Sequence, residues 1–234
     1  MSRLIAFDFD GTLVDSFPIY QEVMTEYCTR NGLPLIDFDT LFKTYGDNDA
    51  PCYGWAGMPL PEQRTRIRDV FLRAEAAHAD PYNKIATPFP RVANTLETLK
   101  SQGYTLAIIT SKLREPTEYT LRHHGLDRHF DMMMTRSETD YFKELGGTNA
   151  PADRPRMKPA PDKLLHVARA LGHNPAQAIM VGDTTWDILM GKAAGAHAFG
   201  VSWGAHDEKM LTDAGADAVL AGTLDELIPH VDEH

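Results

Sequence analysis

The residues that set the question are four carboxylates and a few hydroxyls placed after apolar runs, with a lysine standing apart from them. Asp8 and Asp10 stand one residue apart behind Leu4–Ile5–Ala6–Phe7, and Gly11–Thr12 follow them. Thr110–Ser111–Lys112 come directly after Leu106–Ile109, and Gly182–Asp183 with Asp187 come after Ala178–Val181. Lys158 stands among prolines, ahead of Pro159 and Pro161. At the end of a strand, Asp8 and Asp10 lie on the same side and can aim near one point. Gly11 permits a tight turn and the close approach of a phosphate to the backbone. Adding Asp183 makes three clustered carboxylates, and two unit charges 4 Å apart repel by about 4 kcal/mol at an effective dielectric near 20. Such a cluster calls for a divalent cation, and all-oxygen ligands suit Mg²⁺. With Mg²⁺ and Lys158 set against the three carboxylates, a phosphate dianion meets a site that is neutral instead of repulsive.

Taken singly, each of these residues has an ordinary explanation: a turn, a helix cap, a solvated lysine. Their order along the chain matters more, because it follows the elements that must position them. Leu4–Phe7, Thr105–Ile109, Asp131–Met134, Ala178–Val181, His197–Val201 and Ala218–Leu220 read as short buried strands. Helical spacing separates them over Arg91–Gln102, Glu115–His124, Pro161–Leu171, Asp187–Ala194 and Thr223–Val231. This alternation predicts an α/β fold, a doubly wound parallel sheet covered on both faces, whose ligands bind beyond the carboxyl ends of the strands. Between the first strand and the rest the pattern is different. Phe17, Tyr20, Met24, Tyr27 and Cys28 recur at helical spacing, a second amphipathic segment opens at Pro61, and the Gly/Pro-rich stretch from Tyr45 to Leu60 joins them. Residues 16–87 are therefore expected to form an inserted helical cap domain with no strand of its own, and 1–15 with 88–234 the core domain.

Composition narrows the class. The 234 residues carry 33 acidic and 23 basic side chains, a formal charge of −10, which argues against non-specific nucleic-acid binding. Two cysteines, Cys28 and Cys52, fit a reducing compartment and no disulfide scaffold. No apolar run is long enough to span a bilayer, and the early Asp8 leaves no room for a signal peptide. A cytoplasmic protein without membrane association is expected.

The motif set resembles the haloacid dehalogenase superfamily. Asp8–Phe9–Asp10–Gly11–Thr12–Leu13–Val14–Asp15–Ser16 resembles its first motif, Thr110 its second, Lys158–Pro159–Ala160–Pro161–Asp162 its third and Gly182–Asp183–Thr184–Thr185–Trp186–Asp187 its fourth. The block between the first two is similar to the small helical cap of the phosphatase-type branch, and Gly200–Val201–Ser202–Trp203–Gly204 resembles phosphoglycolate-phosphatase-like members. The resemblance implies a two-step phosphoryl transfer. Asp8 would be the nucleophile, and Asp10 the acid and then the base, assisted by a neighbouring anion that raises its pKa. Mg²⁺ would be held by Asp8, the Asp10 backbone carbonyl and Asp183, with Asp187 in support. Gly11, Thr12, Thr110, Ser111 and Lys158 would hold the phosphoryl group, and Trp55 in the cap loop is a candidate substrate contact. The expected substrate is a small phosphorylated metabolite, and the expected assembly is either a monomer or a homodimer.

Asp10 favours phosphate chemistry over carbon–halogen chemistry, which has no leaving oxygen to protonate. A sugar phosphomutase shares the whole set and is the alternative. A phosphonate hydrolase would need a cap lysine, and the cap offers Lys43 and Lys84 in no matching context. A signalling receiver would carry its phosphorylated aspartate after another strand, and a silent binding protein would have lost one of the four charged residues. Two departures stand out. Thr110 is followed by Ser111 where asparagine is usual, and the span 136–157 is about ten residues longer than the family pattern. His123, His124 and His129 read as a surface cluster, Met132–Met134 as a core strand, and Trp203 as packing.

Overall fold

A computed structural model describes residues 3–33, 35–38, 41, 62, 69, 73, 85–138 and 155–233. In chain order the main elements are β1 (Leu4–Phe7), β2 (Val14–Asp15), α1 (Phe17–Arg30), β3 (Thr87–Pro88), α2 (Val92–Ser101), β4 (Thr105–Ile109), α3 (Arg114–His123) and β5 (Met132–Met134). There follow α4 (Asp162–Ala170), β6 (Ile179–Gly182), α5 (Thr185–Ala193), β7 (His197–Val201), α6 (Glu208–Asp213), β8 (Ala218–Leu220) and α7 (Leu227–Glu233).

Six strands form one parallel sheet in the order β5-β4-β1-β6-β7-β8. The outward progression from β1 in both directions makes its edge a topological switch point, where open α/β sheets bind ligands. Strand periodicity divides the core in two. Ile5 and Phe7 of β1 join Leu106, Ile108, Ile179, Val181, Phe199 and Leu227 on one face. Leu4 and Ala6 join Ala107, Ile109, Met180, Leu164 and Val167 on the other. All four residues of β1 are buried, so the chain emerges at Asp8 from the centre of the sheet.

The expected strands and helices are present with shifts of one or two residues at their ends, except that the last helix, expected over Thr223–Val231, starts at Leu227 after a 3-10 turn over Leu224–Glu226. Three further findings differ from expectation. The ends of the segment expected as an insert are not plain linkers, because β2 and β3 pair antiparallel, Val14 with Pro88 and Asp15 with Thr87, so Thr87 lies in a strand where none was expected. Helix α6 is present where no helix was expected. His129 is buried instead of lying at the surface, and burial holds its pKa below the usual imidazole range. The Met132–Met134 strand is as expected, and Trp203 packs against the core. Of the inserted block, α1 buries Tyr20, Met24 and Cys28 as the spacing predicts, and Glu62, Asp69 and Arg73 are helical. The Tyr45–Leu60 loop, Trp55, Lys43, Lys84 and most of 136–157 lie outside the described residues. Among the described residues, no helix is long and apolar enough to cross a membrane.

Candidate active site

Asp8 extends β1 by one rung, its amide donating to the Val181 carbonyl at 2.8 Å. The chain then turns tightly. Leu13 and Val14 donate to the Phe9 carbonyl, and Gly11 donates to the Val14 carbonyl at 2.9 Å, with a φ of 75° that glycine adopts without strain. On one flank Thr110 ends β4, its amide donating to Met134. On the other, Gly182 ends β6 and hands the chain to Asp183. Adjacent parallel strands thus deliver Asp8, Thr110 and Asp183 to one sheet edge.

Lys158 joins this edge from outside the sheet. Its ammonium contacts Asp8 Oδ1 at 2.9 Å and Asp187 Oδ1 at 2.6 Å, and its side chain is only 3% exposed. Burial pulls the lysine pKa down, but Asp187 and Asp8 outweigh it and hold it above the usual value. Asp187 has a second task. Its Oδ2 accepts from the Thr184 amide and hydroxyl, closing a capping box at the start of α5. The helix start therefore fixes the carboxylate that anchors Lys158.

Carboxylate oxygens of Asp8, Asp183 and Asp187 lie within 4.8 Å of one another. Burial pushes the Asp8 carboxyl up to about 6, with Lys158 opposing and Asp187 adding to the shift. Burial, then Asp8 and Asp187, push Asp183 well above the carboxylate range. The wider site holds four carboxylates, counting Asp10, against the ammonium groups of Lys158 and Lys112. With all four ionised, two negative charges remain uncompensated, and burial together with this excess is the burden that the raised Asp8 and Asp183 values reflect. Buried all-oxygen donors with that excess fit a hard divalent cation such as Mg²⁺.

Several of the expected site residues have partners that the sequence does not show. Asp10 was assigned an anionic neighbour, yet the charge that touches it is a cation: Lys112 Nζ lies 3.1 and 3.2 Å from its two oxygens. The reason is that Lys112, two residues beyond Thr110, turns inward and is fully buried at its side chain. Thr12 donates its hydroxyl to Asp183 Oδ1 at 3.1 Å, so it steadies a carboxylate. Thr110 is buried, and its hydroxyl oxygen accepts from the Lys112 amide at 3.1 Å. Ser111 is partly exposed beside it.

Three contributors were given no role by the sequence, although Lys112 stood in the Thr110–Ser111–Lys112 group at this edge. Lys112 is the first. Lys163, fully buried, donates to the Thr110 carbonyl at 2.6 Å and holds the β4 end in place. The third is the loop after β7, where Ala205 donates to Asp183 Oδ2 at 2.8 Å and His206 Nδ1 accepts from the Thr185 amide at 2.9 Å. That loop approaches so closely that a Cβ on Gly204 would fall 2.3 Å from Asp183 Cβ and 2.5 Å from the Gly11 carbonyl oxygen. Gly204 was visible in sequence as part of the Gly200–Gly204 motif, but its contact with Asp183 was not. Gly204→Ala should therefore lower stability by about 1–3 kcal/mol, since backbone must move to admit the methyl. Urea denaturation reads this, and a wild-type midpoint would show that the loop can retreat at no cost.

Comparison with known proteins defines the class. Residues 5–201 match the family model for haloacid dehalogenase-like hydrolases, and this chain belongs to that family. Among its relatives, phosphoglycolate phosphatase of Haemophilus influenzae (strain 86-028NP) is 31% identical over 227 residues, covering 93% of each chain. Pyrophosphatase PpaX of Halalkalibacterium halodurans is 30% identical, covering 95% of this chain and 94% of its own. Among solved structures, a hydrolase from Pseudomonas syringae superimposes with a TM-score of 0.69 at 26% identity, over 100% of this chain and 99% of that one.

Proposed function

We propose that this protein is a phosphatase that hydrolyses small phosphomonoesters through an aspartyl phosphate on Asp8, with Mg²⁺ as cofactor. The observation that carries the reading is the Asp8 carboxylate at the centre of the sheet edge, gripped by Lys158 and faced by Asp183. One Asp8 oxygen attacks phosphorus, the ester P–O bond breaks, and Asp10 gives its proton to the leaving oxygen. Water then attacks the same phosphorus and gives Asp10 a proton, and inorganic phosphate leaves Asp8 free. Lys158, with Thr110, Ser111 and the amides around Gly11 and Thr12, would hold the phosphoryl oxygens. Mg²⁺ would be held by Asp8, the Asp10 carbonyl and Asp183, with Asp187 in support, and would offset the charge of the phosphoryl group.

Residues 16–87 act in this reading as a cap. Support comes from the β2–β3 pairing, which gathers both ends of the insert beside the site, and from Tyr20 of α1, which reaches it directly. A lid closing over the sheet edge excludes water and favours small esters over phosphoproteins. The relatives named above act on phosphoglycolate and on pyrophosphate, and both belong in the test panel. We place the activity in the cytoplasm, consistent with the unpaired buried thiol of Cys28. The test is release of inorganic phosphate from a panel of phosphorylated metabolites, pyrophosphate and a phosphopeptide with Mg²⁺. Preference for the phosphopeptide would overturn the cap argument, and isomerisation of a sugar phosphate without phosphate release would overturn hydrolysis.

A further inference from the structure

We infer that Lys112 is a positioning residue for Asp10, and that Tyr20 of the inserted segment holds Lys112 in place. The inference rests on the phosphatase reading and assigns a role to a lysine that the reaction above does not use. Lys112 is buried, and its Nζ touches both Asp10 oxygens, at 3.1 and 3.2 Å, and the Tyr20 hydroxyl, at 2.9 Å. Three contacts match the three N–H donors of an ammonium. Its backbone is fixed as well, because the Lys112 amide donates to Thr110 Oγ1 and its carbonyl accepts from Arg136 at 2.9 Å.

The Asp10 backbone bridges to Val14 at the start of the turn, and its side chain is 21% exposed. A proton donor must lie within hydrogen-bond reach of the leaving oxygen, so the direction of its carboxylate decides how well it works. Gripping both oxygens fixes that direction. Tyr20 lies on α1, within the insert, whereas Lys112 and Asp10 belong to the core. The contact thus ties the aim of Asp10 to where α1 rests, and a displaced insert would loosen it.

Leaving-group dependence tests this. An alkyl phosphate such as phosphoglycolate needs a proton on its departing oxygen, whereas p-nitrophenyl phosphate departs as a stable phenolate. The comparison uses kcat/KM for both esters in wild type, Asp8→Asn, Asp10→Asn, Lys112→Met, Tyr20→Phe and the Asp10→Asn/Lys112→Met double variant. We expect Lys112→Met to lose about 100-fold or more on the alkyl ester and under about 10-fold on p-nitrophenyl phosphate, the signature of a weakened general acid. Tyr20→Phe, which removes one oxygen atom and leaves the fold undisturbed, should show the same bias at about 3- to 10-fold. The double variant should be little worse than Asp10→Asn alone, since both changes act on one group. Equal losses on the two esters in both Lys112→Met and Tyr20→Phe, or losses that multiply in the double variant, would overturn the inference and leave the phosphatase reading standing. Hydrolysis that survives Asp8→Asn would overturn that reading and the inference with it.

Discussion

Replacing Asp8 by asparagine should abolish turnover, by roughly 10⁴-fold or more, while the protein stays folded. Asparagine has nearly the same shape and can still accept from the Phe9 amide, which now donates to Asp8 Oδ1 at 2.7 Å. What it lacks is a charged oxygen able to bond to phosphorus. The fold should tolerate the change well, because burial raises the native carboxyl to about 6, so its charged form is less favourable in the folded protein than in the unfolded chain. Lys158 keeps Asp187 as its partner. Circular dichroism and a thermal melt establish folding, and phosphate release establishes activity. Turnover near wild type in a folded Asp8→Asn protein would remove Asp8 as the nucleophile.

Metal removal should have an effect of the same order. Chelation by EDTA should abolish phosphate release and Mg²⁺ restore it, while Ca²⁺ should inhibit, since it accepts looser, larger coordination. A second readout does not depend on turnover. In the metal-free protein Asp8 and Asp183 both have raised pKa values, so the folded state holds protons more tightly than the unfolded chain. Their contribution to stability is complete below the unfolded carboxylate pKa near 4 and is lost as pH rises through about 6 for Asp8. Mg²⁺ competes with those protons, so its stabilisation should grow across that same interval. At about 100 times its Kd it should add about 2.7 kcal/mol, or roughly 5–10 °C in Tm, at pH 7.5 and distinctly less at pH 5. Equal Mg²⁺ shifts at both pH values would contradict a carboxylate site of this kind.

The sheet and the charged cluster were legible because a buried parallel strand is a short apolar run, and its first polar residue marks the sheet edge. Asp8, Thr110 and Asp183 follow such runs and meet as expected. Lys158 was legible only through its motif, since its burial depends on Asp187, 29 residues away. Lys112 was legible as a residue of the sheet edge, after Thr110–Ser111, but its role was not. Nothing beside it in sequence separates a lysine that folds inward onto Asp10 from one that is solvated, and its partners are 102 and 92 residues distant. Nor does the motif reveal that the Thr12 hydroxyl donates to Asp183 Oδ1, 171 residues away. The β2–β3 pairing escaped because two-residue strands leave no periodicity to read.

That short ribbon has a consequence for how such proteins diversify. Val14 faces Pro88 and Asp15 faces Thr87, so the chain leaves the core and returns to it at neighbouring points, about 5 Å apart as paired strands are. Closing the excursion costs nearly the same whatever its length, because loop entropy grows only logarithmically. The intervening segment can therefore be lengthened, shortened or exchanged for another without disturbing the strand ends that carry Asp8 and Asp183. Exchange at this one seam would keep Asp8 and Asp183 on their strands but would take Tyr20 and its contact with Lys112 away with the segment, so chimeras crossing at residues 15 and 87 should restore a hydroxyl at that place.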